Sequence, residues 1–212
     1  VGRTADVQGM CTYEDLVDAT LRYGLMPLVV PQLRTITLGG AVTGLGIESS
    51  SFRNGLPHEA VRELDILTGA GEVVTATPDN AHADLFRAFP NSFGSLGYAT
   101  RLRIALDEVQ PYVATSNVRF DSLEAASAAI GQVVADGSWQ GQAVDFCDGV
   151  VFSRDEIYLV LGRWSSTRPA HLSDYTGQDI YYRSIPRRAP DALTVHDYLW
   201  RWDTDWFWCS RN

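Results

Sequence analysis

Apolar and polar positions change rhythm several times along the chain, and each change marks an expected element. Val7 to Met10 reads as a strand. Thr12 offers an N-cap with an acid, Asp15, three residues on, so the pattern predicts a helix from about Tyr13 to Tyr23. Leu16, Ala19, Leu21 and Tyr23 form its apolar stripe, and Gly24 stops it. Leu28-Val-Val30, closed by Pro31, predicts a short buried strand. Arg62 to Thr68 and Glu72 to Ala76 alternate around Gly69-Ala-Gly71, the pattern of a hairpin. Asp84 to Phe89 predicts a short helix ended by Pro90, and Tyr98 to Leu106 alternates again as a strand.

The sheet pattern breaks near Asp107 to Pro111, which predicts a boundary between domains 1–108 and 109–212. Beyond it, Val113 to Phe120 reads as a strand and Ser122 to Ala135 as a helix with an alanine-rich face. Ala143 to Cys147 and Glu156 to Trp164 read as two more strands. This β-α-β-β order implies an antiparallel sheet carrying helices on one face, so the fold class is α+β. Thr167 to Thr176 and Ile185 to Ala192 are rich in proline and polar residues and read as loops. No internal repeat or low-complexity tract interrupts this plan.

A chain of 212 residues with 45% hydrophobic content can bury a sizeable core, as a soluble globular protein does. Its net charge of -9 argues against nucleic acid as a partner, because a phosphate backbone needs a basic face. Arg183, Arg187, Arg188 and Arg201 are the one positive cluster and read as a solvated face. Cys11, Cys147 and Cys209 are odd in number and lack a C-x-x-C pair, which speaks against a disulfide framework or a zinc site and suits reduced thiols in a cytoplasmic compartment. No apolar run approaches the ~20 residues that span a bilayer. His82, His171 and His196 are scattered, and neither they nor His58 have partners at metal-ligand spacing, so no metal is expected.

The densest chemistry lies between Pro31 and Ser51. Gly39, Gly40, Gly44 and Gly46 remove side chains where a backbone must approach something closely or take positive φ, and Thr35, Thr37, Thr43, Ser49 and Ser50 supply hydroxyls. The segment reads as a loop suited to a flat polar ligand. It matches neither G-x-x-x-x-G-K-[ST] nor G-x-G-x-x-G, which excludes the usual mononucleotide and dinucleotide loops.

Three further blocks follow at set separations: Glu63 to Pro78, then Ala83-Asp-Leu-Phe-Arg-Ala-Phe89, then Gly94-Ser-Leu-Gly-Tyr-Ala-Thr-Arg-Leu-Arg-Ile104. Together with Thr37-Leu-Gly-Gly40 they resemble the PCMH-type FAD-binding domain of the vanillyl-alcohol oxidase superfamily. The run Gly46-Ile-Glu-Ser-Ser-Ser51, followed by Gly55-Leu and His58, looks most like the 24-dehydrocholesterol (delta24-sterol) reductase branch. The resemblance covers residues 1 to 110 well and the remainder loosely. It implies a PCMH-type FAD-binding subdomain, an antiparallel sheet with flanking helices, followed by part of an α+β substrate domain. The family's pyrophosphate loop lies upstream of the matched region and its enzymes extend further at the C-terminus, so the resemblance also implies a portion of a larger flavoenzyme.

Carried over residue by residue, the cofactor contacts fall on Gln32, Leu33, Thr37, Leu38, Gly39, Gly40, Thr43 and Gly44, and on the backbone of Gly97, Tyr98 and Ala99. Tyr98 departs from the small aliphatic residue usual in its place. Where oxidases of the superfamily carry His-Gly, this chain has Ile47-Glu48, which implies non-covalent FAD. Glu48 and His58 are the catalytic candidates as proton donors. Glu48 is equally read as accepting from Ser50 or Ser51 and shaping the loop, and His58 as a structural or exposed loop histidine. The implied chemistry is reduction of FAD by NADPH or NADH, hydride delivery to one carbon of an isolated alkene, and protonation of the other. A sterol side chain or a methylene-branched fatty acyl chain would supply that alkene. An FAD-linked oxidase of an alcohol or sugar, or a flavin-binding module without turnover, are the alternatives. The tryptophans near the C-terminus, Trp200, Trp202, Trp206 and Trp208, fit either core or a lipid-facing or peripheral membrane surface, with Asp203 and Asp205 arguing against uniform burial.

Overall fold

A computed structural model describes residues 2–176 and 180–205. The chain divides into two compact units, Val1–Val109 and Gln110–Asn212. The elements of the first are β1 (Thr4–Gln8), α1 (Tyr13–Leu21), β2 (Leu25–Pro27), α2 (Leu38–Gly44), α3 (Ser51–Asn54), a 3-10 turn (Pro57–Ala60), β3 (Val61–Leu67), β4 (Val73–Ala76), α4 (Ala83–Ala88) and β5 (Tyr98–Glu108).

The sheet of this unit runs β1-β5-β3-β4, with β2 also paired to β5. All pairs are antiparallel, and β5 is the spine that takes β1 along Arg101 to Ala105 and β2 along Leu106 to Glu108. Its alternation is strict where it matters. Leu102, Ile104 and Leu106 turn into the core while Arg101 and Arg103 turn out. Helix α1 forms where the pattern put it because the Thr12 hydroxyl accepts from the Asp15 amide at 3.2 Å. Tyr13, Leu16, Val17 and Thr20 bury its inner face, whereas Ala19 and Tyr23, expected in the apolar stripe, are exposed, Tyr23 because the helix ends at Leu21.

Two expectations need correction here. The strand before Pro31 is Leu25–Pro27, one turn earlier than Leu28 to Val30, because Met26 and Pro27 are what line up with β5; Val29 and Val30 are buried without pairing. The glycine-rich segment is helical over Leu38–Gly44, because Thr37 caps it by accepting from the Gly40 amide at 3.2 Å. None of Gly39, Gly40, Gly44 and Gly46 takes positive φ; the conformation occurs instead at Gly55 (φ 73°) and Gly97 (φ 122°).

Outward from β5, Arg101 reaches Asp65 at 2.7 Å and also pairs with Asp6 and Glu63, while Arg103 meets Asp6 at 3.1 Å. The Arg103 and Arg101 guanidinium groups hold the Asp6 carboxyl below its usual range, and Arg101, helped by the Thr75 hydroxyl, does the same for Asp65. A carboxyl with a depressed folded-state pKa contributes stability above its unfolded value of ~3.9, and that contribution is lost as pH falls through the folded value. The urea midpoint is therefore expected to fall steeply below about pH 4, and Arg101→Gln to flatten that fall. An equally steep fall in the variant would place the acid sensitivity elsewhere.

The second unit comprises β6 (Tyr112–Phe120), α5 (Leu123–Asp136), the short hairpin β7 (Ser138–Trp139) and β8 (Gln142–Ala143), β9 (Phe146–Ser153), β10 (Glu156–Ser165), α6 (Tyr181–Ser184), β11 (Asp191–Thr194) and α7 (Val195–Leu199). A four-stranded antiparallel sheet runs β11-β6-β10-β9. Helix α5 starts on the Ser122 cap and lays Ala126, Ala129 and Val133 inward. The strand expected over Ala143 to Cys147 is two elements, β8 and the start of β9, and the last two residues of the loop expected to end at Ala192 already belong to β11, paired to β6.

The arginine cluster is not one solvated face. Arg183, Arg187 and Arg188 are exposed, but Arg201 is 3% exposed and paired with Asp148. Trp200 and Trp202 are core, and Asp203 is buried with them, contrary to its expected exposure. Trp206, Trp208 and Cys209 lie outside the described residues, and Cys11 and Cys147 are free thiols. Among the described residues no helix is long and apolar enough to cross a membrane, and no group of three or more His, Cys, Asp or Glu side chains could hold a metal.

Candidate functional site

The site begins where β1 runs out. Gly9 donates its amide to the Thr100 carbonyl at 3.0 Å and accepts from the Gly39 amide at 2.8 Å. A Cβ on Gly9 would lie 1.8 Å from the Ala99 oxygen, and one on Gly39 would lie 2.9 Å from the Gly9 oxygen. Two glycines thus let the start of α2 sit directly on the junction of β1 with β5. The Leu38 amide adds a bond to the Cys11 carbonyl at 2.9 Å, and Tyr13 donates to Ile36 at 2.9 Å, so the two segments are stitched along their main chains. The Thr43 hydroxyl is held by the Gly39 carbonyl at 2.9 Å.

On the other side, Gly97 takes φ 122°, and a Cβ there would meet the Leu67 oxygen at 2.3 Å. This lets β5 begin against the end of β3. The Phe93 amide donates to the Thr43 carbonyl at 3.1 Å, which ties the turn before β5 to the last turn of α2.

Between these walls lies a cleft of about 630 Å³. Met10, Leu67, Phe93 and Tyr98 give it apolar surface, Gln8, Thr37, Thr43 and Thr100 give it polar groups, and the main chain of Gly9, Gly39, Gly40, Gly94, Gly97 and Ala99 completes the lining. No ionisable acid or base other than the Tyr98 phenol lines it. Phe93 and Tyr98 are 77% and 71% exposed, an apolar rim without cover from the described residues.

Of the positions carried over by resemblance, Thr37, Gly39, Gly40, Thr43, Gly97, Tyr98 and Ala99 come together around this one cleft. Leu38 does not: its side chain is 1% exposed and faces the core, since it is the first inward position of α2. Gly44, at the far end of the helix, and Gln32 and Leu33, before it, are not in the lining. Gln8, Gly9, Met10, Leu67, Phe93, Gly94 and Thr100 are lining positions that the sequence reading missed. Gly9 carried a usable signal, a lone glycine at a strand end, which marks close backbone approach.

Glu48 and His58 also stand outside the cleft lining. The Glu48 carboxylate accepts from the Gln32 amide at 3.2 Å, while its own amide donates to the Ser51 hydroxyl at 2.9 Å. The expected bond from Ser50 is replaced by Ser50 donating to the Leu28 carbonyl at 2.9 Å, which Asn54 also reaches at 2.8 Å. Burial, and after it the Glu48 charge, pushes the Tyr13 phenol well above its ordinary pKa, which places the carboxylate near that buried ring. His58 sits in the 3-10 turn, and its Nδ1 is buried with no hydrogen-bond partner among the described residues.

The cleft suits a flat heteroaromatic ligand whose edges can bond to hydroxyls and main chain and whose faces lie on apolar groups. The glycines supply a cradle that side chains would fill. Its lining offers no cation to a diphosphate.

Residues 1–77 match the family model described as FAD binding domain. Over 169 residues the chain is 31% identical to Delta(24)-sterol reductase of Arabidopsis thaliana, an alignment covering 79% of this chain and 30% of that protein. It is 31% identical over 134 residues to Delta(24)-sterol reductase of Macaca fascicularis, covering 63% of this chain and 25% of the relative. It is 30% identical over 147 residues to cytokinin dehydrogenase 10 of Oryza sativa subsp. japonica, covering 69% of this chain and 26% of the relative. The chain spans less than a third of the length of each of these relatives.

Proposed function

We propose, from a chain whose residues 1–77 match the FAD binding domain family, that it forms part of an FAD-dependent reductase of an isolated carbon-carbon double bond in a lipid. FAD-linked oxidoreductase chemistry is supported by that family match, and the likeness to a Delta(24)-sterol reductase across 79% of the chain supports the lipid alkene as substrate. Its 169 aligned residues outrun the first unit, so the second unit shares in it.

When bound, FAD supplies the hydride-transfer chemistry. Thr37, Thr43 and the main chain at Gly39, Gly40, Gly97 and Ala99 would orient its flat ring, and Met10, Leu67, Phe93 and Tyr98 would keep water from its faces. An isolated alkene is a weak electrophile, so a proton has to arrive with the hydride. Glu48 and His58 are the proposed sources. The His58 Nδ1 is buried without a hydrogen-bond partner among the described residues, whereas the Glu48 carboxylate is engaged by the Gln32 amide, and neither residue lines the cleft.

The test is anaerobic absorbance spectroscopy of the flavin-loaded protein. Bleaching by NADPH or NADH, followed by reoxidation on adding a sterol with a side-chain double bond, is the expected result. His58→Gln or Glu48→Gln, whichever removes the acid, should leave bleaching intact and slow reoxidation roughly 10²-fold. Failure of either nicotinamide to bleach the flavin would overturn the reductase. The cytokinin dehydrogenase likeness favours a second reading, an FAD-linked dehydrogenase or oxidase, for which bleaching by the oxidisable substrate itself would be the mark.

A further inference from the structure

The second unit has a cleft of its own, about 460 Å³ in volume, at the end of its sheet. Leu161 and Arg163 of β10 stand opposite Ser116 and Ala114 of β6, so all four share one face. Helix α5 packs on that face but stops at Gly137, which takes φ 61°, and the β7–β8 hairpin carries the chain onward. The cleft opens between hairpin and sheet.

Its chemistry is specific. Arg163 is its one formally charged lining residue, and no carboxylate lines it, although the chain as a whole carries a net charge of -9. The guanidinium is steadied by a 3.0 Å bond from its Nη1 to the Gln142 oxygen, a neutral acceptor. Its other N–H groups have no carboxylate partner among the described residues. Trp139, held edge-on by Phe120 with ring centres 6.1 Å apart, walls the cleft, and its indole Nε1 is buried with no acceptor among the described residues. Leu161 and Ala114 supply an apolar floor beside the guanidinium.

We propose that this cleft binds a small organic carboxylate with a flat apolar body. The carboxylate would take the free side of the Arg163 fork, whose planar donors match two oxygens, and the body would lie on Leu161 and Ala114 against the Trp139 ring. The cleft is lined by the second unit alone, so the inference stands apart from the flavin reading of the first.

Isothermal titration of the whole chain with 2-naphthoate and with its neutral counterpart 2-naphthamide tests it. Naphthoate should saturate one site and bind at least about tenfold tighter than the amide. Arg163→Gln, at an exposed position, should remove that preference while leaving amide binding and flavin content unchanged. Trp139→Phe should weaken both ligands. Equal affinity for acid and amide, or a naphthoate affinity untouched by Arg163→Gln, would overturn the site; a loss of flavin content with naphthoate binding retained would count against the reading of the first unit and not against this one.

Discussion

Gly9→Ala is expected to collapse the first unit's cleft for the addition of one methyl group. The new carbon would sit 1.8 Å from the Ala99 oxygen, and that carbonyl belongs to the strand on which β1 and β3 both pair. Neither partner can yield. The Gly9 amide and carbonyl are both spent, on Thr100 and on Gly39, so a shift of this residue breaks the bonds that seat α2. The cost should reach roughly 3 kcal/mol, the upper range of overpacking a well-filled site. Gly40→Val is the contrast. There the nearest obstacle is the Thr37 hydroxyl, 2.9 Å from a Cβ, the end of a capping side chain that can rotate away for about 1 kcal/mol. The larger side chain would still occupy the cleft, so flavin should be lost from a protein that folds. Thermal unfolding of cofactor-free protein beside flavin absorbance separates the two: a Gly9→Ala protein as stable as the parent, or a Gly40→Val protein equally destabilised, would contradict this account.

Arg201→Met should be the most damaging change in the second unit. The guanidinium is buried, ion-paired with Asp148, bonded through Nη1 to the Tyr198 carbonyl at 2.6 Å, and stacked 3.7 Å from the Tyr198 ring centre. Trp202 donates its indole N–H to the same Asp148 carboxylate at 3.0 Å. Removing the cation strands that carboxylate in an apolar setting, a loss of about 3–5 kcal/mol. Arg201→Lys should recover little, because an ammonium has neither the fork nor the plane for stacking. Arg201→Met combined with Asp148→Leu should recover much of the loss, since the stranded charge is then gone. Urea midpoints for the three variants decide the matter, and an Arg201→Met protein with an unchanged midpoint would show that the pair contributes nothing.

The elements that could be read from the sequence are those whose cause is local. The Thr12 cap, the Gly69-Ala-Gly71 turn and the alternation of β5 each act within a few residues, and each lies where the pattern put it or within two or three positions. Strands whose cause is distant were misplaced. Leu25–Pro27 is a strand because of Leu106 to Glu108, and Asp191–Thr194 because of Tyr112 to Thr115, neither of which a local window contains. The glycines around Gly39 were legible as close approach, but one of the partners approached is Gly9 of the chain itself. Arg201 illustrates the same limit for charge. Its burial rests on a carboxylate more than fifty residues away, Asp148 on the edge strand β9, together with the Tyr198 carbonyl and ring, and a local window does not show the carboxylate.

The position of β5 as spine carries a consequence for how the first unit comes into being on the ribosome. Asp6 and Arg101 are 95 residues apart in the chain, and β1 and β2 alike have their partner in β5. During synthesis β1 and β2 therefore leave the exit tunnel well before their common partner β5, whereas β3 and β4, adjacent in the chain, can pair without waiting for it. The cleft, walled by Gly9 at one end of that wait and Gly97 at the other, is assembled in the same late event.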